Sequence, residues 1–275
     1  TLPDSVHEFS FSGFKLSTRD SMIRFDNVKI TPKGNVSEYP AAITADISAI
    51  TLIDIDFMKA YRQRQLVVDS IKISHPIASI YINANNNKAD PKLSLSGIFE
   101  NQQVNTFSIE NGDFKISHYN MEIESEVNLS LHNILFDSIN SRDWFEDIEA
   151  EFSNIRAYNN DSTIVGYTDR LALSSSKQHI SFEKVSFKNQ KEDLIKTLEL
   201  SELLIDEIDP VLVLKNRQLE SESLAIIAPR ISVNPFSEKQ DSTSTNFTIP
   251  FIKFLKFDSL QIINGEVSGP DFSLS

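Results

Sequence analysis

Two pairs of carboxylates, Asp54 with Asp56 and Asp206 with Asp209, are of the residue type that glycoside chemistry employs. That chemistry needs the two carboxyls to face each other across a cleft. Here one member of each pair precedes a short helix-prone run, Phe57 to Arg62 or Pro210 to Lys215. An Asp in that place accepts the unpaired amide hydrogens of a first helical turn, and Pro210 suits the first helical position. Capping is the expected work of Asp56 and Asp209. The five histidines, at 7, 75, 118, 132 and 179, form no His-Glu-x-x-His and no i, i+4 pair, so each reads as a surface or strand-edge residue. Asn83, Asn85, Asn87 and Asp90 are of calcium-loop type, but no Gly stands sixth and Ser94 takes the twelfth place where Glu is needed. A solvated connector is the expectation. Seven glycines are too few for a phosphate-binding loop, and there is no Gly-x-Ser-x-Gly elbow. The absence of cysteine excludes disulfides, thiolate zinc sites, iron–sulfur clusters and a cysteine nucleophile. The sequence therefore predicts no catalytic residue, no metal site and no cofactor.

The elements that carry these residues are mostly strands. Met121-Glu122-Ile123-Glu124 leads on through Val127, Leu129 and Leu131, with Glu122, Glu124 and Glu126 on the other face. Period two with charge on one side describes half-buried antiparallel strands. Ile180-Ser181-Phe182 followed by Val185-Ser186-Phe187 alternates in the same way with one slip. Strands are expected at 7–17, 21–31, 42–53, 66–73, 77–83, 106–117, 119–136, 147–158, 163–174, 178–188, 196–205, 219–227 and 256–268. Helices are expected only after Asp56 and Asp209, of two turns at most, with another short one at Ser141 to Phe145. A net charge of −13 in 275 residues, without a basic patch, argues against nucleic acid as a partner.

The chain repeats itself. The two helix starts are 153 residues apart, and nine of the 31 positions from 50 to 80 are identical to their counterparts at that offset. Arg64-Gln65-Leu66 matches Arg217-Gln218-Leu219, Pro76 matches Pro229, and Ile109, Asn111 and Gly112 match Ile262, Asn264 and Gly265. Upstream the offset becomes 157, so Leu16, Ile23, Phe25 and Val28 match Leu173, Ile180, Phe182 and Val185. The expected organisation is a partial first unit at 1–104, a complete unit at 105–257 and the start of a third at 258–275, in one continuous β structure. Polar connections are expected at 83–90 and 234–246. Asn-Gly supplies the positive φ of a tight turn or a bulge. Arg64 and Arg217 are expected to close the helix C-termini and to cover apolar surface with their stems.

The order of these motifs resembles the AsmA-like proteins of Gram-negative bacteria: an Ile-Asp helix start, Leu66-Val67-Val68-Asp69-Ser70-Ile71, then Ile109-Glu110-Asn111-Gly112. The resemblance implies a long periplasmic β-groove behind an inner-membrane anchor, with a part in moving phospholipids between envelope membranes. The chain then reads as a fragment lacking that anchor. The fold expected is all-β with a few short helices, a repeated antiparallel meander forming an elongated curved sheet or groove. The function expected is non-enzymatic lipid handling. Phe25, Ile71 and Ile73, with their repeat partners Phe182, Leu224 and Ile226, are the candidate groove-lining residues. Phospholipid acyl chains and other envelope proteins are the expected partners, with membrane contact left to parts outside this sequence. The alternative is a β-rich scaffold or protein-interaction module with a closed core.

Overall fold

A computed structural model of the chain describes residues 6–83, 101–118, 121–136, 145–159, 164–189, 195–216, 218–233, 254–269 and 272–274. Of these, 78% are in strands, with two short α-helices. The protein is all-β, as the alternation predicts. It divides into two compact units, 1–150 and 151–275.

In the first unit β1 (His7–Ser10) and β2 (Gly13–Ser17) both pair antiparallel with β3 (Met22–Pro32). Then β4 (Ala41–Ile55), α1 (Phe57–Gln63) and β5 (Gln65–Ile82) follow, each strand antiparallel to the last. β6 (Asn101–His118) lies parallel to β5, and β7 (Met121–Phe136) antiparallel to β6. The unit ends in the first residues of β8 (Asp147–Asn159). In the second unit β9 (Ile164–Ser174), β10 (His179–Asn189) and β11 (Ile195–Asp206) form an antiparallel meander that leads into α2 (Pro210–Asn216). β12 (Gln218–Ile227) and β13 (Arg230–Val233) both return along β11. Parallel to these run β14 (Phe254–Ile263) on β12 and β15 (Glu266–Gly269) on β13, and β16 (Phe272–Leu274) closes back on β15.

The meander is thus not wholly antiparallel. Connection 83–100 is long enough for a crossover, which a parallel neighbour requires and a hairpin cannot supply. The expected strands at 66–73 and 77–83 are one strand, β5. Pro76 is tolerated inside it because His75 beside it has φ 48° and the ladder is already interrupted there. The expected strands at 7–17 and 256–268 are each divided in two. The connections at 84–90 and 234–246 lie outside the described residues, as do 141–144 of the short helix expected at 141–145; Phe145 is buried.

The duplication is visible residue by residue. β3 and β10 coincide at an offset of 157, and α1 and α2 coincide at 153. The amide of Ile55 donates to Ser21 O (2.9 Å) and that of Ile208 to Gln178 O (3.1 Å), the same bond in each unit. Both caps form as expected: Asp56 Oδ1 accepts from Lys59 N at 2.9 Å and Asp209 Oδ1 from Val211 N at 2.8 Å. The Lys59 amide holds the Asp56 carboxyl below its ordinary pKa. Arg64 closes α1 through its backbone, with φ 53° and its amide donating to Lys59 O. Arg217 lies outside the described residues.

Left-handed residues recur at matched places: Ser21 with Gln178, Asn27 with Lys184, Asp54 with Glu207, His75 with Ala228 and Asn111 with Asn264. Asn27, His75 and Asn111 sit side by side on β3, β5 and β6. Pairing skips one residue on both β3 and β4 between Asp26↔Ala49 and Val28↔Ile47, and shifts register between Ile109 and Gly112 on β6. Asn111-Gly112 is therefore a bulge inside a strand and not a hairpin turn. One left-handed residue inverts the pleat, so Phe25 and Val28, three apart, point the same way and pack in one cluster with Ile47, Ile50 and Ala78. Lys184 makes the slip seen in the alternation of β10.

Two outcomes follow. Asp209→Ala should cost about 0.5–2 kcal/mol, and Asp56→Ala should destabilise likewise, read by chemical denaturation. A Cβ on Gly112 would stand 2.9 Å from Pro76 Cγ and 2.6 Å from Phe114 Cε2, whereas on Gly265 the nearest atom is Ile262 Cγ2 at 3.2 Å. Gly112→Ala should therefore lose about 1–3 kcal/mol of stability and Gly265→Ala less. Equal losses would contradict this account of the bulge.

Candidate functional site

The candidate lining residues fall on two cross-strand rows in each unit. In the first unit one row is Phe14↔Phe25↔Ile50↔Ile73↔Ile109↔Leu129, read straight across the register. The other is Leu16↔Ile23↔Leu52↔Ile71↔Phe107↔Leu131. In the second unit the rows are Leu171↔Phe182↔Leu203↔Ile226↔Ile262 and Leu173↔Ile180↔Ile205↔Leu224↔Leu260. Directly opposed residues share a face. Phe25, Ile73 and Ile71 therefore lie on one face of the first unit, and Phe182, Ile226 and Leu224 on one face of the second.

The sequence reading missed the members between them: Ile50 and Leu52, Leu203 and Ile205, and the outer Phe14 and Leu171. Their signal is present, because each pair is apolar at its repeat offset, but the paired residues are not identical.

The rows are packed at their centres and open at one end in each unit, while Leu131 at the far end of the first unit's second row is buried. Phe25 and Ile73 are half-buried against the cluster of Val28, Ala45, Ile47 and Ala78. Phe25 also meets the rings of Phe9, Phe11 and Phe14, at centroid distances of 5.9, 5.1 and 5.3 Å. Phe182 and Leu224 pack on Ile180, Ile205, Ile208 and Leu219. At the ends, Phe14 and Leu16 are 56% and 52% exposed, and Leu260 and Ile262 are 59% and 61% exposed. The other face carries ion pairs: Lys72 with Glu110 at 3.0 Å, Lys29 with Asp46 at 3.0 Å, and Arg170 bridging Glu151 (2.8 Å) and Glu183 (2.9 Å).

The other constellations have structural work. His7 is buried on the edge strand β1 and its Nε2 accepts from Ile43 N at 2.9 Å. His132 Nδ1 meets Thr106 Oγ1 at 3.4 Å, and His179 Nδ1 meets Asp206 Oδ1 at 2.6 Å. No group of His, Asp and Glu among the described residues is arranged to hold a metal. Asn85, Asn87 and Asp90 lie outside the described residues. No helix among the described residues is long and apolar enough to cross a membrane.

One carboxylate pair is under strain. Glu222, hydrogen-bonded to Glu207 and repelled by it and by Asp258, has its pKa raised above the ordinary 4.5. At the matched place in the first unit Asn105 Nδ2 donates to Asp69 Oδ1 at 3.0 Å, which needs no shared proton. No family model matches the sequence, and no curated protein matches it.

A raised acid pKa means that the protonated form is favoured in the fold. The stabilisation is complete below pH 4.5, the ordinary value, and is lost as pH climbs through the raised one. Glu222→Gln should flatten the fall in melting temperature between that pH and neutrality. An unchanged slope would remove the Glu207–Glu222 interaction as its cause.

Proposed function

We propose that this chain is an AsmA-like, non-enzymatic β-groove fragment that shelters phospholipid acyl chains in the periplasm, and that the full-length protein is anchored to the inner membrane. The observation that carries the groove is the matched pair of apolar rows: ten strand positions from Phe14 to Ile109 are apolar in both units, and the members at one end in each unit, Phe14 and Leu16 or Leu260 and Ile262, are exposed. Packing alone would favour covering Phe14, Leu16, Leu260 and Ile262. Each CH₂ taken from water contributes about 0.8 kcal/mol, so a two-chain lipid is held by length of apolar contact and needs no catalytic residue. The envelope location and the inner-membrane anchor rest on the sequence resemblance.

A second reading, a scaffold that binds another envelope protein, is favoured by one observation. Phe182 packs on the buried Ile180, Ile205, Ile208 and Leu219, as a closed core would have it.

The two readings part on Phe182→Asp. On the groove reading the variant melts cooperatively, but it no longer takes up a fluorescent phospholipid that the parent chain binds. On the scaffold reading an unpaired carboxylate is buried, the domain unfolds, and the parent binds no lipid. Ile262→Asp, at an exposed row end, should reduce lipid uptake without unfolding even if Phe182 proves too buried to test.

A further inference from the structure

The pleat inversion on the second unit opens a cavity on the face opposite the apolar rows. Tyr167↔Ser186↔Glu199↔Arg230↔Glu266 stand in one cross-strand row, next to left-handed Lys184. Tyr167, Ser186, Glu199 and Arg230, with Asp169 and Lys184, border a cavity of about 370 Å³. Tyr167 Oη donates to Asp169 Oδ1 and Lys184 Nζ to Asp169 Oδ2, both at 2.5 Å. The Lys184 ammonium, and after it the Tyr167 hydroxyl, hold the Asp169 carboxyl below its ordinary pKa, and Asp169 in turn pushes Lys184 and Tyr167 up. Arg230 Nε stands 3.6 Å from Glu266, an ion-pair distance longer than a hydrogen bond.

The first unit supplies an internal control. At the matched places it has Ser10, Ser12, Asn27, Asp46 and Ile77, and there Asn27 Nδ2 donates to Ser12 Oγ at 2.8 Å. Lys29, in the place of Ser186, also pairs with Asp46, in the place of Glu199, at 3.0 Å. The tyrosine, the Asp169–Lys184 ion pair and the arginine have no counterpart in the first unit.

We propose that this cavity binds a small zwitterion, a molecule carrying an oxyanion and an ammonium group together. A purely anionic ligand would meet the carboxylates of Asp169 and Glu199, while Lys184 is already paired with Asp169 and Arg230 with Glu266. A purely cationic one would meet Lys184, 76% exposed, and Arg230, 71% exposed. A ligand with both charges can place its oxyanion between Lys184 and Arg230 and its ammonium against Glu199. The proposal is independent of the acyl-chain reading, since it uses the other face.

The test is calorimetric titration of the whole chain with O-phosphoethanolamine, and separately with ethanolamine and inorganic phosphate. The parent should bind phosphoethanolamine at least tenfold more tightly than either half. Arg230→Ile and the double change Asp169→Ser with Lys184→Asn copy the first unit, so both should keep the parent's melting temperature and weaken binding at least tenfold. Vesicles containing phosphatidylethanolamine distinguish the source. Variant-sensitive binding of vesicles assigns a lipid head group, and variant-sensitive binding of the free compound alone assigns a soluble metabolite. No binding by the parent, equal binding of inorganic phosphate, or unchanged binding in both variants would overturn the proposal.

Discussion

The apolar cluster of Val28, Ala45, Ile47 and Ala78 with Phe25 and Ile73 depends on a backbone event that costs energy locally: a residue forced into the left-handed region midway along a strand. Without Asn27, His75 and Asn111 at φ 48–51°, strict alternation would carry Val28 and Ala78 to the face opposite Phe25 and Ile73. With them, two half-strands of opposite parity present one apolar surface. Such a conformation is penalised by about 1–3 kcal/mol for a residue with a Cβ. It persists because β3, β4, β5 and β6 invert at one level and each inversion is matched by its neighbour. A single inverted strand would put its apolar residues into water; a line of them builds a continuous face.

The second unit shows which parts of this arrangement are obligatory. The helix caps, the proline beside the left-handed residue, the glycine that lies against that proline and the apolar rows all recur. Side chains on the charged face do not: Lys29 and Asp46 form the pair in one unit, whereas the cation has moved to Arg230 in the other. Geometry is held by positions where space or dihedral angle leaves little choice. Charge drifts where solvent screens it.

Much of this was legible because it leaves a local mark. Asp before a helix-prone run, a two-residue period with glutamates on one side, and identities at a fixed offset each have a direct physical cause, and the caps, strands and duplication came from them. The candidate residues Phe25 and Phe182 were legible through the repeat, and their row neighbours Ile50 and Leu203 were not. Register is fixed by partners far away in sequence, so no window around Phe182 contains Leu203. The parallel placement of β6 was hidden for the same reason, since strand direction depends on the connection and not on the strand. The inverted pleat was visible only as a slip in the alternation around Lys184, and its left-handed residue is a lysine, a type seldom placed there. The cavity beside it carries no contiguous motif at all.

The parallel neighbour bears on how the chain acquires this structure. Hairpin pairs such as β3 with β4 close across a short connection, but β5 and β6 bring together residues 36 apart, as between Asp69 and Asn105. Loop-closure entropy must be met there before any ladder contact compensates it. During that interval β5 exposes a long unpaired edge, an apolar strand ready to template another chain. Speed of crossover, more than final stability, would then set how concentrated the unfolded chain can be before it aggregates, and the acidic self-repulsion of the sequence works in favour of the slow step.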